Sequence, residues 1–314
     1  VYAAMGETAL SPSDKALDLG NLSKMFAQPR AITEEEIEKL IQRFAMTSQK
    51  AEAAGFTGIQ VHAAHGYLIS QFLSPRTNLR TDQWGGDINN RARLLVEVVK
   101  RIRHSVKPDF CVSVKLNSAD FQKGGFDLED AKAVVQMLNE LNVDLVELSG
   151  GSYESPAMQG RTTDKEDEKP ESTLRREAYF VDFARDIASV ASMPVMVTGG
   201  ILRRTVAEEA LEKDSQGFGV DMLGIARAMA FQPDLPNRWK DDELEIKLPR
   251  VDWRNRTFAA LAVMAVTKVQ LNRLAQGKAP KANVSPLFSL IGDQIKTKKR
   301  TKRYRRWRES TADA

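Results

Sequence analysis

Apolar residues recur at two different spacings between residues 33 and 228, and the alternation predicts helices between short strands. Thr33 can cap a helix with Glu36 in a capping box, and apolar positions then share one face as far as Gly55. Asp127 can open a later helix in the same way. The segments with helical spacing are 33–55, 89–106, 127–141, 176–191 and 205–213. The strand-like segments are 55–65, 110–117, 143–151, 194–200 and 220–228.

This order of elements predicts an α/β fold with a parallel sheet, because the helices act as crossover connections between strands. An open doubly wound sheet and a closed barrel both satisfy the pattern. The polar residues favour the barrel, since they follow the C-terminal end of every strand, where (β/α)8 barrels place their active sites. These residues are His62, Lys115, Ser149, Gly199 with Gly200, and Arg227. We therefore expect a TIM-type (β/α)8 barrel with about five βα units visible.

The barrel pattern ends at residue 249, so we predict a barrel domain over 1–249 and a helical extension over 250–314. One helix should begin near Phe258 and stop at Gly277 and Pro280. Beyond it, nine Lys or Arg and no acid lie between Lys296 and Arg308. Such a tail could contact nucleic acid or an anionic membrane. A solvated basic helix that packs against the slightly acidic remainder is the favoured interpretation.

The composition fits a water-soluble domain with a substantial core, since 42% of the residues are apolar and 28% charged. The longest apolar run near the C-terminal end, from Phe258, is less than half of what a bilayer span requires. No secretory signal is visible, and Cys111 is the only cysteine. We expect a cytoplasmic protein without disulfides, in which Cys111 is a buried structural thiol.

Two consecutive strand ends carry a pattern suited to phosphate. Gly199 and Gly200 follow one strand, and Ala226 and Arg227 stand between the next strand and a short helix. Glycines let backbone N–H groups approach an anion, and barrels frequently bind phosphate after their last two strands. The alternative is that the glycines only turn the chain.

The segment "HAAHGY" places three hydrogen-bonding side chains, His62, His65 and Tyr67, after a strand. Two neutral imidazoles that donate to one carbonyl oxygen would stabilise negative charge developing on it, and the phenol could then deliver a proton. Paired histidines can also bind a metal, but no carboxylate or thiolate set stands nearby, and we predict no metal site. Two structural histidines are the third interpretation. Lys115, in an apolar strand, either reaches the barrel mouth or pairs with a negative group of a ligand.

The sequence "GFTGIQVHAAHGYLISQFLSPRTNLRTDQWGGDINNRARLLVEVV" closely resembles the Old Yellow Enzyme family of flavin-dependent ene-reductases, also called NADH:flavin oxidoreductases. The resemblance continues through "VSVKLN", "VELSGG", "VTGGI" and "DMLGIARAMAFQPDLP", and covers roughly residues 9–236. It implies a (β/α)8 barrel that holds FMN and takes electrons from NADH or NADPH.

The resemblance also implies roles for individual residues. His62 and His65 match the pair that binds the oxygen of an unsaturated carbonyl substrate, and Tyr67 matches the proton donor. Lys115 stands where the family has a basic residue, most often arginine, beside the flavin ring. The residues that match the phosphate loops are Gly199, Gly200, Ala226 and Arg227. Ala226 replaces a more usual glycine, and Lys115 lacks the planar fork of arginine.

Members of the family carry about three further strand units before the segment "ALSPSD", where this chain begins. Five strands cannot close an eight-stranded barrel, so we expect an N-terminally incomplete barrel with exposed edges. The predicted function is FMN-dependent reduction of the activated C=C bond of α,β-unsaturated carbonyl compounds by NAD(P)H. The first alternative is a truncated, inactive or partner-dependent homologue that acts as a binding protein. The second is a flavin-free barrel that binds a sugar phosphate. A homo-oligomer is left open.

Overall fold

The computed structural model describes residues 3–149, 183–199, 201–241, 248–249 and 251–312. The chain forms two compact units. The first comprises Thr8–Gly200 and Glu208–Gly224, and the second comprises Val1–Glu7, Ile201–Ala207 and Ile225–Ala314. The predicted domain boundary at residue 249 stays a prediction.

The order of elements agrees with the predicted alternation of helices and strands. The first half of the chain contains β1 (Ala9–Ser11), β2 (Pro29–Ala31), α1 (Glu34–Ala53), β3 (Gly58–Ala63), α2 (Leu68–Leu73), α3 (Ile88–Arg103), β4 (Cys111–Asn117), α4 (Leu128–Asn139) and β5 (Leu145–Ser149). The elements that follow are α5 (183–188), β6 (Val195–Thr198), α6 (Arg204–Leu211), β7 (Met222–Gly224), α7 (Arg227–Phe231), α8 (Leu235–Asp241), α9 (Arg256–Leu274) and α10 (Pro286–Ala312). Short 3-10 helices span Ala3–Met5 and Gly20–Met25.

The first unit is built on a five-stranded sheet in the order β3-β4-β5-β6-β7, with every pair of neighbours parallel. This confirms the predicted α/β fold with a parallel sheet. Among the described residues β3 and β7 are the two edges of this sheet, and β1 and β2 form a separate parallel pair. The barrel and its incompleteness stay predictions, because the described strands form an open sheet.

The two faces of the sheet differ in chemistry. Alternate residues of the strands are fully buried and apolar, as expected of a face covered by crossover helices. They include Val61, Ala63, Val112, Val114, Leu116, Val146, Leu148, Val195 and Val197. The opposite face carries one row of paired residues from edge to edge, which are His62, Lys115, Glu147, Met196 and Met222. This row changes from polar to apolar across the sheet.

In the first unit, α1, α3 and α4 begin at or next to the residues that the sequence predicts, whereas β1, β2 and α2 lie outside the predicted segments. The hydroxyl of Thr33 accepts from the backbone N–H of Glu36, whose carboxylate accepts from the N–H of Thr33, so the capping box is confirmed. Asp127 caps α4 by accepting from the N–H of Asp130. For the helix predicted over 176–191, residues 183–188 are helical and 176–182 lie outside the described residues.

The prediction that Cys111 is buried is wrong. The residue is exposed. Its position in β4 explains the error, because Cys111 is the first residue of the strand and lies on the same face as Ser113 and Lys115. The fully buried face is the opposite one, which carries Val112, Val114 and Leu116. An apolar run therefore located the strand correctly but could not show which of its faces each side chain occupies.

The second unit is helical and contains α7 to α10. Ala262 and Ala265 of α9 pack with Leu290 of α10 and with Val251 and Trp253. Gly277 adopts a φ of +69° three residues after α9 ends, which confirms its predicted role as a stop. No helix in the described part of the chain is long and apolar enough to span a membrane.

Candidate active site

The segment after β3 places three predicted site residues side by side. His62 is the last residue but one of β3, and the chain then turns through His65 and Gly66, whose φ angles are +61° and +73°. Tyr67 is extended and precedes α2. The turn is fixed from α2, where the Ser70 hydroxyl accepts from the N–H of Gly66. A left-handed φ at a histidine costs about 1 kcal/mol or more, so surrounding contacts must hold it.

The three rings lie within contact distance. The ring centroids of His62 and His65 are 5.2 Å apart and the rings are perpendicular. The ring of Tyr67 lies 4.8 Å from that of His62, and its side chain is 49% exposed. The geometry therefore brings together the two predicted carbonyl-binding residues and the predicted proton donor, with the phenol at the solvent side.

Two residues from neighbouring strands hold His65. Its backbone N–H donates to Oδ1 of Asn117 at 3.1 Å, and its Nε2 lies 2.7 Å from the hydroxyl of Ser149. Asn117 and Ser149 are register partners at the ends of β4 and β5. The sequence singled out Ser149 as a strand-end residue but missed Asn117, whose signal was its place two residues after Lys115.

Asn117 is in turn fixed by a buried carboxyl group. Its side-chain amide donates to Oδ1 of Asp120 at 3.1 Å, and the N–H of Phe126 donates to Oδ2 of the same residue. Burial raises the pKa of Asp120, although hydrogen bonds from Ser74, Phe126 and Asn117 oppose the change. The side-chain oxygen of Asn117, which accepts the backbone N–H of His65, thus belongs to a hydrogen-bond network that is almost wholly buried in the first unit.

Both histidines are neutral at pH 7. Burial, followed by the positive charge of Lys115, lowers the pKa of His62 below its ordinary value. The same two causes, with a contribution from His62, lower the pKa of His65 to about 4. The N–H of Ala64 donates to Nδ1 of His62, which assigns the proton of that ring to Nε2. His62 therefore presents a neutral N–H donor, as the carbonyl-binding hypothesis requires.

Lys115 forms an ion pair with another residue of the protein, which was not predicted from the sequence. Its Nζ lies 2.5 Å from Oε1 of Glu147, the register partner on β5, and both side chains are largely buried. Burial raises the pKa of Glu147, but hydrogen bonds, led by the one from Lys115, outweigh this effect. The net pKa is lowered, and the carboxyl is ionised. An acid inside the apolar strand "LVELS" next to a lysine-bearing strand was the signal that could have found this pair.

The predicted phosphate-binding residues fall into both units. Gly199, in the first unit, has a φ of +135°, a conformation that favours glycine. Ala226 and Arg227, in the second unit, are exposed at the start of α7. Gly200 lies outside the described residues. Their joint role in phosphate binding stays a prediction. Among the described residues no cluster of three or more His, Cys, Asp or Glu could hold a metal ion.

The row of residues across the open face of the sheet fits a flavin ring in its chemistry. An isoalloxazine has a polar pyrimidine end and an apolar dimethylbenzene end. The row offers His62, Lys115 and Glu147 at one side, and Met196 and Met222 at the other, with Met222 50% exposed. Lys115 and Glu147 would hold the polar edge, where the ring has both acceptors and a donor.

The chain resembles known flavin enzymes in sequence. A model of the NADH:flavin oxidoreductase / NADH oxidase family matches residues 3–245. The chain belongs to this family. It is 38% identical over 227 residues to the NADH-dependent flavin oxidoreductase nadA of Aspergillus parasiticus, covering 72% of this chain and 48% of that protein. It is 34% identical over 215 residues to an NADH oxidase of Thermoanaerobacter brockii, covering 68% of this chain and 31% of that protein.

Solved structures also match the chain. The old yellow enzyme homologue from Zymomonas mobilis superposes with a TM-score of 0.58 at 26% identity, over 76% of this chain and 63% of that one. A 2-naphthoyl-CoA reductase superposes with a TM-score of 0.60 at 28% identity, over 73% of this chain and 32% of that one. The family resemblance expected from the sequence is confirmed. The chain spans about half the length of the Aspergillus relative, or less of several others.

Proposed function

We propose that the chain provides the carbonyl-binding and proton-donating part of an FMN-dependent oxidoreductase, which reduces activated C=C bonds of α,β-unsaturated carbonyl compounds with electrons from NADH or NADPH. The observation that carries the proposal is the cluster of two neutral imidazoles and a phenol at the end of β3. Membership of the NADH:flavin oxidoreductase family supplies the cofactor and the reductant. FMN, when bound, supplies the hydride that reaches the β-carbon of the alkene.

The residues of the chain bind and polarise the substrate. The Nε2–H of His62 donates to the carbonyl oxygen and withdraws electron density from the conjugated alkene. His65 either approaches the same oxygen through Nδ1 or exchanges Ser149 for it at Nε2. Since both rings are neutral, each can donate one hydrogen bond without the cost of burying a further charge.

Tyr67 completes the reaction by donating its phenolic proton to the α-carbon. Its place supports this role, because the ring contacts His62 while half of the side chain faces solvent. A proton lost to the substrate can therefore be replaced from water. Lys115 would hold the polar edge of a bound flavin, and its partner Glu147 would keep the ammonium in place.

The test has two stages that separate cofactor binding from chemistry. The purified chain is first titrated with FMN and followed by flavin absorbance and fluorescence. NADH oxidation is then measured anaerobically with 2-cyclohexenone for the wild type, Tyr67→Phe and His62→Ala. We expect FMN to bind all three forms, and each substitution to lower turnover with the enone by about 100-fold. NADH-dependent flavin reduction should be unchanged by Tyr67→Phe.

Two results would contradict this assignment in different ways. Full turnover by Tyr67→Phe would remove Tyr67 from the proton-donating role. A wild-type chain that binds no FMN would exclude catalysis by this chain alone, and would favour the interpretation of a partner-dependent or inactive homologue. Recovery of flavin absorbance on addition of the part of a full-length relative that this chain does not cover would then support the partner-dependent form.

A further inference from the structure

The last helix, α10, contains a charge cluster that the proposed oxidoreductase function does not use. Nine Lys or Arg lie between Lys296 and Arg308 without an acid, and we call this stretch the basic segment. It is helical throughout. Because its cations follow one another closely, they point in every direction around the helix axis.

Only one side of the basic segment packs against other parts of the second unit. Thr301, Tyr304 and Arg308, spaced three and four residues apart, are the positions of the segment that are partly buried. The hydroxyl of Tyr304 donates to the Glu7 carboxylate at 2.8 Å, and Arg308 donates to the carbonyl of Gly6 at 2.7 Å. Arg308 also forms an ion pair with Glu7 at 3.2 Å. This side fixes the helix to the N-terminal segment.

The remaining cations are not neutralised within the described part of the chain. Arg308 is the one member of the nine that forms an ion pair with another described residue, and the other eight are exposed. Like charges stand four residues apart at several positions, among them Lys296 with Arg300 and Lys298 with Lys302, and each such pair destabilises a helix by about 0.2–0.5 kcal/mol. Among the described residues of the second unit, Glu7 is the acid that the basic segment contacts.

One exposed stripe combines cations with an aromatic ring. Lys296, Arg300, Arg303 and Trp307 follow one another at intervals of four, three and four residues, so they share one side of the helix. Trp307 is 58% exposed. The stripe spans about 16 Å, which is the length of about three to five nucleotides.

Two anionic partners could neutralise such a stripe, and the distribution of apolar residues separates them. A helix that lies in a membrane surface needs an apolar face along the stretch that carries its cations. Apart from Trp307, the exposed large apolar residues of α10 end where the cations begin; they are Leu287, Phe288, Ile291 and Ile295. A chain of phosphates needs no apolar face, and an exposed indole gives an unpaired base a stacking surface.

We propose that the basic segment binds single-stranded nucleic acid, with phosphates on Lys296, Arg300 and Arg303 and a base stacked on Trp307. Phosphate contacts made by lysine and arginine carry no sequence information, so binding should be independent of sequence and strongly dependent on salt. The proposal is independent of the flavin chemistry, since none of its residues belongs to the candidate active site.

The test uses the full chain and a fluorescein-labelled single-stranded 15-nucleotide RNA, with fluorescence anisotropy measured between 50 and 200 mM salt. The charge variant is K296Q/R300Q/R303Q. Its matched control, K39Q/R43Q/K50Q, removes three exposed cations from α1 and changes the net charge equally. We expect the charge variant to bind at least tenfold more weakly than the control at 100 mM salt. Its salt slope should be shallower by about two units, as the loss of three phosphate contacts predicts.

A second readout tests stacking. RNA should quench the fluorescence of Trp307, and Trp307→Ala should remove that quenching while weakening binding by about fivefold or more. Equal affinity of the charge variant and the control would overturn the proposal. So would tight binding to duplex DNA without quenching, or binding to vesicles with 30% phosphatidylserine while the RNA is not bound. Circular dichroism of each variant confirms that α10 is still helical.

Discussion

At the scale of single residues, the candidate site depends on how the protein holds His65. The residue has a left-handed backbone, which histidine adopts only under constraint, and Asn117 and Ser149 provide that constraint. Its pKa of about 4 shows that the same surroundings disfavour the imidazolium. The ends of β4 and β5 therefore fix the position of His65, while burial and the charge of Lys115 keep its imidazole neutral.

The depressed pKa predicts a pH dependence of stability. In the unfolded chain His65 is protonated below about pH 6.5, whereas in the folded chain it is protonated only below about pH 4. The free energy of unfolding therefore falls as the pH falls through this window. Asparagine tolerates the left-handed backbone and does not titrate. The free energy of unfolding is measured with urea at pH 7.5 and at pH 4.5. Its decrease between the two pH values should be about 2 kcal/mol smaller for His65→Asn than for the wild type.

His104→Asn is the matched control for this measurement, because His104 lies at the exposed C-terminal end of α3. It should lose stability with pH as the wild type does. If His65→Asn and His104→Asn behave alike, the site does not exclude protons from His65. The neutral donor pair of the proposed mechanism would then be contradicted.

At the scale of elements, a buried arginine of α3 connects this helix to α2 and α4. Arg91 of α3 is 7% exposed and forms a bidentate pair with Asp130 of α4, at 2.9 and 3.1 Å. Its guanidinium also donates to the carbonyls of Leu73, where α2 ends, and Gly86. One side chain thus satisfies groups from three segments.

Removal of this arginine should cost far more stability than removal of a surface cation. Arg91→Met leaves Asp130 without its cation in a largely buried place and should lower the free energy of unfolding by about 3 kcal/mol. Lys100→Met breaks the exposed pair with Glu97 on the same helix and should cost less than about 0.5 kcal/mol. Urea unfolding of both variants makes the comparison. A cost for Arg91→Met as small as that for Lys100→Met would show that the pair contributes nothing.

At the scale of the whole molecule, the open face of the sheet is the surface to which the proposed function assigns the flavin. The sheet formed by the described strands has two edges, β3 and β7. The row from His62 to Met222 has a polar end and an apolar end, which suit a flavin ring. The chain spans about half of the Aspergillus relative. The FMN affinity of this chain therefore distinguishes a chain that forms the flavin site by itself from one that forms only part of that site.

If FMN occupies this face, it should stabilise the fold. FMN at 100 times its dissociation constant should raise the free energy of unfolding by about 2.7 kcal/mol, seen as an increase in Tm. Lys115→Met should abolish the FMN-dependent increase, whereas Lys39→Met, on the exposed side of α1, should keep it. The increment is compared rather than Tm itself, because Lys115→Met also leaves Glu147 unpaired. An undiminished increment in Lys115→Met would exclude Lys115 from the flavin site.

The sequence by itself determined the order of the elements and the kind of chemistry. Capping residues such as Thr33 and Asp127 act over three or four positions, so local reading found them, and the spacing of His62, His65 and Tyr67 with the surrounding motifs indicated the family. Tertiary structure decided what depends on distant strands. The pairing of Lys115 with Glu147, the support of His65 by Asn117, and the exposure of Cys111 all follow from strand register and from which face a helix covers. Such contacts join residues tens of positions apart, so a local pattern can mark the residues but cannot show which of them meet.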